Sequence, residues 1–385
     1  MKVVLSTWGK FHFFHLARQL ERRGVLKKIF STYPRFKLRD EGLPPEKVES
    51  DALIETFLLG KGRFGISTPF DRFLQHLKVD LHDRHIMRRL PQCDVFVALS
   101  GSGLVAGGAV QKRGGIYICE RGSSHIAYGD DLMAEEFTRW GAEAPQTSPR
   151  FIAREEAEYA MADRIVVPSS FVKQSFIQRG VAADKIIVNG YGADLSRFQK
   201  KGSPPKDQFV VLFVGGVRFR KGIPYLLEAF KALRHPNKVL KIVGSVLPEM
   251  RDYLRTAPLE NVEFMGIVPN TELPEIMSQA HAMVLPSIEE GMALVQAEAL
   301  ASGCPVIASR NTGGEDLFSD GSEGFIVPIR DPQSITDRLQ QLADDPDLRD
   351  SMSEAGMSKI KNLGGWDLYG SKYMTIFDEA LDRTY

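Results

Sequence analysis

The sequence has no long hydrophobic run, and this absence narrows the class of protein. Its apolar stretches fall well short of the roughly 18 residues that cross a bilayer. Residues 3–6 are typical of a strand rather than of a signal peptide. We therefore expect a cytoplasmic protein. At 385 residues the chain is long enough for two domains, each with its own hydrophobic core.

Cysteine is scarce, and this absence bears on disulfides and metals. Cys93, Cys119 and Cys304 are far apart in the sequence and lie among apolar residues. An odd number of scattered cysteines is typical of a reducing compartment. The sequence therefore predicts buried thiols, and neither a disulfide framework nor a structural zinc site.

The chain also lacks a Gly-x-Gly-x-x-Gly motif after its first strand, which argues against a dinucleotide-dependent oxidoreductase. Short β-branched runs instead alternate with helical patterns, as in parallel sheets covered by helices on both faces. A first unit opens with residues 3–6 and a helix that ends at Gly24; a second begins near Phe209, after a polar linker at 200–206. The predicted fold class is α/β with two doubly wound parallel sheets.

Two glutamates frame a predicted helix start in the second unit. Residues 282–286 are typical of a buried strand, and a loop then leads through Glu290 into a helix that we expect to begin near Met292. Eight residues are a little over two helical turns, so Glu298 can face the same side as the helix start. Free N–H groups at a helix N-terminus suit a phosphate. An isolated pair with this spacing is more often solvated, but the apolar strand at 305–308 favours a ligand site.

An earlier loop has the composition of a phosphate-binding turn. Residues 210–214 form a predicted strand, and Gly215 and Gly216 allow the backbone to turn closely before a predicted helix at 223–233. Three cations precede that helix: Arg218, Arg220 and Lys221. Lys221 is the strongest cationic candidate, whereas either arginine alone is more often solvated.

These motifs resemble the donor half of the retaining glycosyltransferases of the large nucleotide-sugar family 4, which have the two-domain GT-B fold. The segments that carry the resemblance, over roughly the last half of the chain, are 191–194 with Phe198, 213–216 with 221–222, 290–298, 311–315 and 324–328. The resemblance implies a Rossmann-like acceptor-binding domain at 1–200 and a Rossmann-like donor domain at 201–365. Residues 366–385 would form a helix that crosses back to the first domain.

The resemblance also implies roles for the candidate residues of the donor domain. Glu298 would accept hydrogen bonds from the ribose hydroxyls, and Glu290 would contact the donor sugar or the phosphates. Lys221 would stabilise the charge that develops on the leaving diphosphate. Gly216 stands where the family commonly has an arginine, so we expect Arg218 or Arg220 to supply the second charge, and the choice between them stays open.

His125 is the best match to the family histidine near the transferred sugar, and it follows a predicted strand at the edge where parallel sheets bind ligands. The catalytic candidates are thus His125, Lys221 and Glu290. The further donor-binding candidates are Gly9, Gly215, Gly216, Arg218, Arg220, Ile267, Val268, Gly291, Met292, Ala293, Leu294, Val295 and Glu298.

The activity implied is retaining transfer of a hexose-type sugar, with a UDP-sugar as the expected donor and a hydroxyl of a glycan, glycolipid or small molecule as acceptor. No residue clearly offers a nucleophilic carboxylate, which favours front-face substitution. We expect no metal or other cofactor, because Asp345-Pro346-Asp347 lies between two predicted helices, where a helix N-cap explains it. The alternatives are a GT-B protein that binds nucleotide-sugar without transferring it, and a GT-B epimerase or phosphorylase.

A net charge of zero hides an asymmetry between the two halves. Residues 1–200 carry seven more basic than acidic side chains, and the rest of the chain carries seven more acidic ones. The basic and aromatic residues that interleave include Arg18, Arg22, Arg23, Lys27, Lys28, Lys61, Arg63, Arg72, Lys78, Arg84, Arg88 and Arg89 with Phe11, Phe13, Phe14, Phe64, Phe70 and Phe73. Peripheral contact with an anionic membrane and an ordinary solvated face explain this set equally well. No nucleic-acid-binding module is present.

Overall fold

The computed structural model describes residues 1–52, 56–57 and 70–382, with the side chains of 70–73 left out. Lys61, Arg63 and Phe64, which belong to the predicted basic and aromatic set, lie outside the described residues, as do the side chains of Phe70, Arg72 and Phe73. Among the described helices, none combines the length and apolar character that crossing a bilayer requires.

The N-terminal half forms a parallel seven-stranded sheet in the order β3-β2-β1-β4-β5-β6-β7. Its strands are β1 Val3–Thr7, β2 Leu26–Ser31, β3 Val48–Ser50, β4 Val95–Leu99, β5 Ile116–Glu120, β6 Arg164–Val167 and β7 Ile186–Val188. The helices around it are α1 Phe13–Arg22, α2 Phe70–Arg89, α3 Leu104–Gln111, α4 Ile126–Arg139, α5 Pro149–Met161 and α6 Ser170–Ile177. The strand order changes direction between β1 and β4, which leaves a crevice at the carboxyl ends of these two strands.

The C-terminal half forms a parallel six-stranded sheet in the order β10-β9-β8-β11-β12-β13. Its strands are β8 Phe209–Val214, β9 Lys238–Val243, β10 Val262–Gly266, β11 Ala282–Leu285, β12 Val306–Ser309 and β13 Gly324–Val327. The helices are α7 Ile223–Ala232, α8 Arg251–Leu254, α9 Leu273–Ser278, α10 Val295–Ala301, α11 Pro332–Asp344, α12 Pro346–Lys361 and α13 Trp366–Asp382. The direction changes between β8 and β11, so this sheet also has a crevice at its carboxyl edge.

Short 3-10 turns connect several of these elements, at Arg35–Glu41, Pro45–Lys47, Ala183–Lys185, Phe219–Lys221, Pro248–Met250, Arg310–Thr312 and Gly314–Asp316. Local signals at the helix ends act as the sequence predicts. Gly24, just after α1, has φ +70°, a conformation that only glycine adopts at little cost. Asp345 caps α12 by accepting a hydrogen bond from the Leu348 amide at 2.9 Å.

The last helix, α13, leaves the C-terminal half and packs on the core of the N-terminal sheet. Tyr369, Tyr373 and Phe377 are buried there among the side chains of β1, β4 and α1. The hydroxyl groups of Tyr369 and Tyr373 donate hydrogen bonds to Glu120, at the end of β5. The chain therefore passes twice between the two halves, at the linker and at α13.

Helix α4 belongs to the N-terminal half in sequence, and its last turns pack on the C-terminal half. Phe137 is buried in the C-terminal core, and the Trp140 ring lies 5.5 Å from the Tyr225 ring. The Glu136 carboxylate accepts a hydrogen bond from Arg330 at 2.7 Å and one from the Tyr225 hydroxyl at 3.2 Å. This fully buried acid holds the two halves together on one side of the cleft.

Candidate active site

A cleft of about 680 Å³ lies between the two sheets, at their carboxyl edges. Most of its lining comes from loops of both halves, which follow β1, β8 and β11. The lining residues are Lys10, Phe11, His12, His15, Glu41, Tyr191, Val214, Gly215, Lys221, Glu290, Met292, Ala293, Leu294, Val295, Glu298 and Trp366. The cleft is within the size range of small-ligand pockets, about 300–1,000 Å³.

The loop after β8 places a cation in this cleft. Lys221 Nζ lies 2.6 Å from Glu290 Oε1, so the two sequence-predicted residues form an ion pair in the free protein. Gly222 allows the loop after β8 to lie against the loop after β11. It has φ +67°, and a Cβ there would lie 2.0 Å from the carbonyl oxygen of Pro286. Only glycine allows the start of α7 to pack this closely on the end of β11.

The loop after β11 is longer than the sequence predicts. Helix α10 begins at Val295, so the prediction of a start near Met292 is wrong by three residues. The reason is a contact with the segment after β12: the Ala293 amide donates to the Thr312 carbonyl at 3.0 Å, and the Glu290 amide to the Asn311 carbonyl at 3.0 Å. The amides of Glu290 and Ala293 are therefore already hydrogen-bonded. The amides nearer Leu294 and Val295 are the ones that can donate to an anion.

Glu298 lies on α10 and faces the same cleft as Glu290, as the two-turn spacing predicts. Burial raises the pKa of its carboxyl, and the charge of Arg197 opposes this rise only in part. The ionised form of Glu298 therefore lowers the stability of the fold, as is common for a buried charged group that is retained for binding.

The two arginines of the β8 loop point in different directions. Arg220 donates from Nε to the Glu289 carbonyl at 2.9 Å and pairs with the Glu289 carboxylate at 2.8 Å. Arg218 lies 3.8 Å from Glu249 and is not part of the cleft lining. Neither arginine lines the cleft, so Lys221 is the cation that the structure brings there among the three.

Glu289 was missed by the sequence reasoning, although it stands next to Glu290. Its carboxylate is buried and accepts hydrogen bonds from the Ser123 hydroxyl at 2.6 Å and the Ser124 amide at 2.9 Å, both in the N-terminal half. Burial alone would raise its pKa, but Arg220 and the two serines outweigh burial and lower it. The doublet of glutamates was the available signal: one carboxylate ties the halves together and the other faces the cleft.

Gly291 follows the doublet at the tightest contact between the halves. A Cβ at this position would lie 1.8 Å from the Gly122 carbonyl oxygen. The Gly291 carbonyl also accepts a hydrogen bond from the Ser169 hydroxyl at 2.6 Å. The loop after β11 therefore touches the loop after β5 through backbone and the loop after β6 through the Ser169 hydroxyl.

The structure places His125 in a buried aromatic cluster rather than among the cleft lining. Its ring centroid lies 5.0 Å from the rings of Tyr159 and Phe176, and its amide donates to the Ser175 hydroxyl at 2.9 Å. Burial, then the charges of Arg121 and Arg179, lowers the pKa of the imidazole to about 4. This position differs from the expected one beside the sugar, and the proposed catalytic role stays a prediction.

The remaining candidates divide between the cleft and its surroundings. Gly9, with φ +63°, precedes the lining residues Lys10 and Phe11. Gly216 packs against Leu247, whereas Gly215 lines the cleft. Ile267 is 81% exposed and, like Val268, lies outside the lining of the cleft.

His12 enters the cleft without having been predicted. Its Nε2 hydrogen bonds with the Glu120 carboxylate, which the two α13 tyrosines also bond, and its ring lies 4.4 Å from the Tyr191 ring. Glu120 is 108 residues further along the chain, so no local pattern announces this pairing. The neighbouring His15 stacks on Trp366 at 3.9 Å.

Comparison with known proteins matches the C-terminal half to a family. The model of the family described as glycosyl transferases group 1 matches residues 196–359. Among curated relatives, D-inositol 3-phosphate glycosyltransferase of Corynebacterium kroppenstedtii is 30% identical over 58% of this chain and 54% of its own length. The capsular polysaccharide biosynthesis glycosyltransferase CapM of Staphylococcus aureus is 28% identical over 57% of this chain and 63% of its own length. The chain thus spans between half and two thirds of these relatives.

Solved structures extend the likeness to the whole fold. Anabaena Alr3699/HepE in complex with UDP superposes with a TM-score of 0.69 at 16% identity, over 98% of this chain and 100% of that one. A sucrose-phosphate synthase from Thermosynechococcus elongatus gives a TM-score of 0.62 at 18% identity over the full length of both chains. The predicted fold class is confirmed. Residues 196–359 match the family of glycosyl transferases group 1, and the chain as a whole has the GT-B fold.

Proposed function

We propose that this protein transfers a hexose-type sugar from a nucleoside diphosphate donor to an acceptor hydroxyl, with retention of the anomeric configuration. The observation that carries the proposal is the Lys221–Glu290 ion pair in the cleft, with Glu298 on the next helix. A cation, an acid beside it and a second acid on the following helix suit the diphosphate, the sugar and the ribose in turn.

The ion pair defines what the donor must displace. A diphosphate carries more negative charge than one carboxylate, so Lys221 exchanges Glu290 for the phosphates when the donor binds. Glu290 is then free to accept hydrogen bonds from the sugar hydroxyls. As the bond between the anomeric carbon and the diphosphate breaks, its electron pair goes to the phosphate oxygen, where Lys221 stabilises the charge by a few kcal/mol.

A front-face substitution fits the residues around the cleft. The acceptor oxygen attacks the anomeric carbon from the side that the diphosphate leaves, and the leaving phosphate takes the acceptor proton. Glu290 accepts hydrogen bonds from the sugar hydroxyls in this arrangement and is not assigned the role of nucleophile. We propose that this chemistry needs no metal, because Lys221 supplies the positive charge at the phosphates.

A UDP-sugar is the proposed donor, supported by the similar Anabaena protein, whose structures hold UDP and UDP-glucose. The proposed acceptor is a glycan or glycolipid, in keeping with the capsular polysaccharide role named for the Staphylococcus aureus relative. We further propose a protein of the cytoplasm that contacts the inner face of the membrane through its basic N-terminal half.

The test is release of free nucleotide from UDP-glucose, GDP-mannose and ADP-glucose, with and without a panel of glycoside acceptors and with EDTA present. We expect acceptor-dependent release from one base class, an α-linked product from an α-linked donor, and no loss with EDTA. Lys221→Ala should lower release by about 10²–10³-fold, whereas Lys231→Ala, which changes an exposed lysine on α7, should leave it unchanged. A β-linked product would overturn the retaining mechanism. Nucleotide binding without release would favour a binding protein, and turnover without acceptor an epimerase.

A further inference from the structure

A second and larger cavity, of about 880 Å³, lies on the N-terminal half. We call it the α2 groove, because it runs between α2 and the loops that follow β2 and β3. The residues that line it are Pro34, Arg35, Phe36, Ser50, Asp51, Ala52, Thr56, Phe57, Lys78, Leu81, Arg84, His85 and Arg88. Among the residues that the structure describes, it shares no lining residue with the active-site cleft. Nothing in the proposed transfer of a sugar uses this cavity.

One wall of the α2 groove is apolar and unusually exposed. Phe36 is 61% exposed, Phe57 is 58% exposed and Leu81 is 38% exposed. Leaving apolar surface exposed rather than buried raises the free energy by roughly 25 cal/mol per Å². Large apolar side chains that remain exposed around one cavity often mark an interaction site.

Cationic side chains of α2 also line the groove, on the helical face that carries Leu81. Lys78, Leu81, Arg84 and Arg88 follow at spacings of three or four residues, so they share a helical face. Arg84 and Arg88 are exposed, and neither has an acidic partner within the described part of the chain. Lys78 Nζ lies 5.3 Å from the centroid of the Trp8 ring. The face thus presents cations beside an apolar surface.

The acid in the groove does not cancel this charge. Asp51 is engaged by the buried His82, whose Nδ1 lies 2.9 Å from its Oδ2. Nε2 of His85, in the groove wall, makes no hydrogen bond with a described residue, and the Glu49 carboxylate is 3.8 Å away. A polar atom without a partner in a cavity wall is an uncommon cost that a ligand can remove.

We propose that the α2 groove binds an anionic membrane lipid, with its phosphate at Arg84 and Arg88 and its chain against Phe36, Phe57 and Leu81. A free phosphate would use the arginines but leave the phenylalanines exposed, and a neutral lipid would leave the arginines without a partner. The proposal rests on the membrane contact proposed above and gives that contact a defined site. It holds or fails independently of sugar transfer.

The first experiment uses dodecyl phosphate below its micelle concentration as a soluble probe, titrated calorimetrically into the full chain. We expect saturable binding, no binding of inorganic phosphate, and weak binding of neutral dodecyl maltoside. The double variant Arg84→Gln/Arg88→Gln should weaken binding at least about tenfold, because each cation near a lipid phosphate contributes several-fold. Phe36→Ser should weaken it similarly.

The matched control is Lys112→Gln/Arg113→Gln, which removes the same charge from exposed positions after α3. It should bind dodecyl phosphate within twofold of the parent. Equal binding by the Arg84/Arg88 variant and this control, equal binding of dodecyl maltoside, or tighter binding of a single-stranded oligonucleotide would overturn the proposal. Thermal unfolding of each variant shows whether lost binding reflects lost fold.

Vesicle flotation tests the α2 groove and the membrane contact as two separate proposals. The protein should float with phosphatidylcholine vesicles that contain phosphatidic acid and not with phosphatidylcholine alone. If the Arg84/Arg88 variant floats as well as the control, the membrane contact stands and the groove is not its site. If neither floats and dodecyl phosphate does not bind, both proposals fail, while nucleotide release still tests the transferase on its own.

Discussion

The two walls of the active-site cleft are assembled in different ways. The C-terminal wall comes from two loops, at 214–221 and 290–298, in which neighbours in sequence are neighbours in space. The N-terminal wall gathers residues 10–15, Glu41 and Tyr191, and Trp366 arrives on α13. A wall built from residues that are adjacent in the sequence can be recognised as a motif. A wall built from residues that are far apart in the sequence becomes visible only in the folded structure. The predictions below separate the chemistry of the first wall from the contact between the two.

The largest effect is expected at Lys221, because it is the cleft cation that faces the proposed diphosphate. Lys221→Ala should lower turnover by about 10²–10³, the range for losing one transition-state contact of this kind. Lys221→Ala should change the free energy of unfolding far less than turnover, by about 1–2 kcal/mol, because the Lys221 and Glu290 side chains are only partly exposed, at 18% and 14%. Steady-state nucleotide release and thermal unfolding measure the two quantities. A large loss of stability with normal turnover would contradict the assignment.

Gly291→Ala should break the contact between the walls. The added Cβ would meet the Gly122 carbonyl at 1.8 Å, so backbone must move. We expect a loss of about 1–3 kcal/mol in the free energy of unfolding, the usual range for overpacking. Gly365→Ala is the control, because a Cβ there lies 3.7 Å from the nearest backbone oxygen, an ordinary contact. Equal stability of the two variants in urea unfolding would show that the loops separate freely.

Glu289→Gln tests the carboxylate that joins the walls, with Glu290→Gln as its neighbouring control. The pKa of Glu289 is lowered in the folded protein, so its stabilisation is present above the ordinary carboxyl pKa and lost as pH falls through the folded value. We expect Glu289→Gln to cost about 1–2 kcal/mol at neutral pH and to flatten the loss of stability in acid.

Glu290→Gln keeps the contacts of Glu289 with Arg220, Ser123 and Ser124, so it should keep the loss of stability in acid that depends on those contacts. Urea unfolding between pH 3 and pH 7 compares the two variants. If Glu289→Gln loses stability in acid to the same extent as the parent, Glu289 does not hold the halves together. The comparison is sharp because adjacent residues face different environments.

Glu298→Gln should have the smallest effect. It should raise the stability of the fold but weaken nucleotide binding. The pKa of Glu298 is raised, so the group contributes stability below the ordinary carboxyl pKa and that contribution is lost as pH rises through the folded value. Removing the charge should therefore raise the melting temperature slightly at neutral pH. Loss of the ribose contact should weaken nucleotide binding about tenfold. A variant that loses both stability and affinity would contradict this account.

The sequence predicts the C-terminal wall well because its signals are local. Glu290 and Glu298 fall two turns apart, and Lys221 follows a glycine turn at a strand end. The start of α10 could not be predicted, since the amides of Glu290 and Ala293 bond to the segment after β12 rather than to a helix. The directions of Arg218 and Arg220, both away from the cleft lining, were equally hidden, because they depend on Glu249 and Glu289.

The N-terminal wall shows the opposite case. His12 and Glu120 are 108 residues apart, and Glu289 reaches Ser124 across 165 residues. Such pairs need both sheets and α13 in place before they meet. His125 follows a strand end as predicted, yet neighbouring aromatic side chains bury it, which a single sequence does not reveal. The fold class depended only on the alternation of strands and helices and was therefore the safer prediction.

The central claim is that a nucleoside diphosphate binds to the contiguous C-terminal wall. Hydrogen exchange of the protein with and without saturating UDP tests this claim most directly. We predict slower exchange in the loops at 214–222 and 290–298, with Glu298→Gln reducing the protection and with the α2 groove unaffected. Protection confined to the α2 groove, or none in either loop at saturation, would contradict the account.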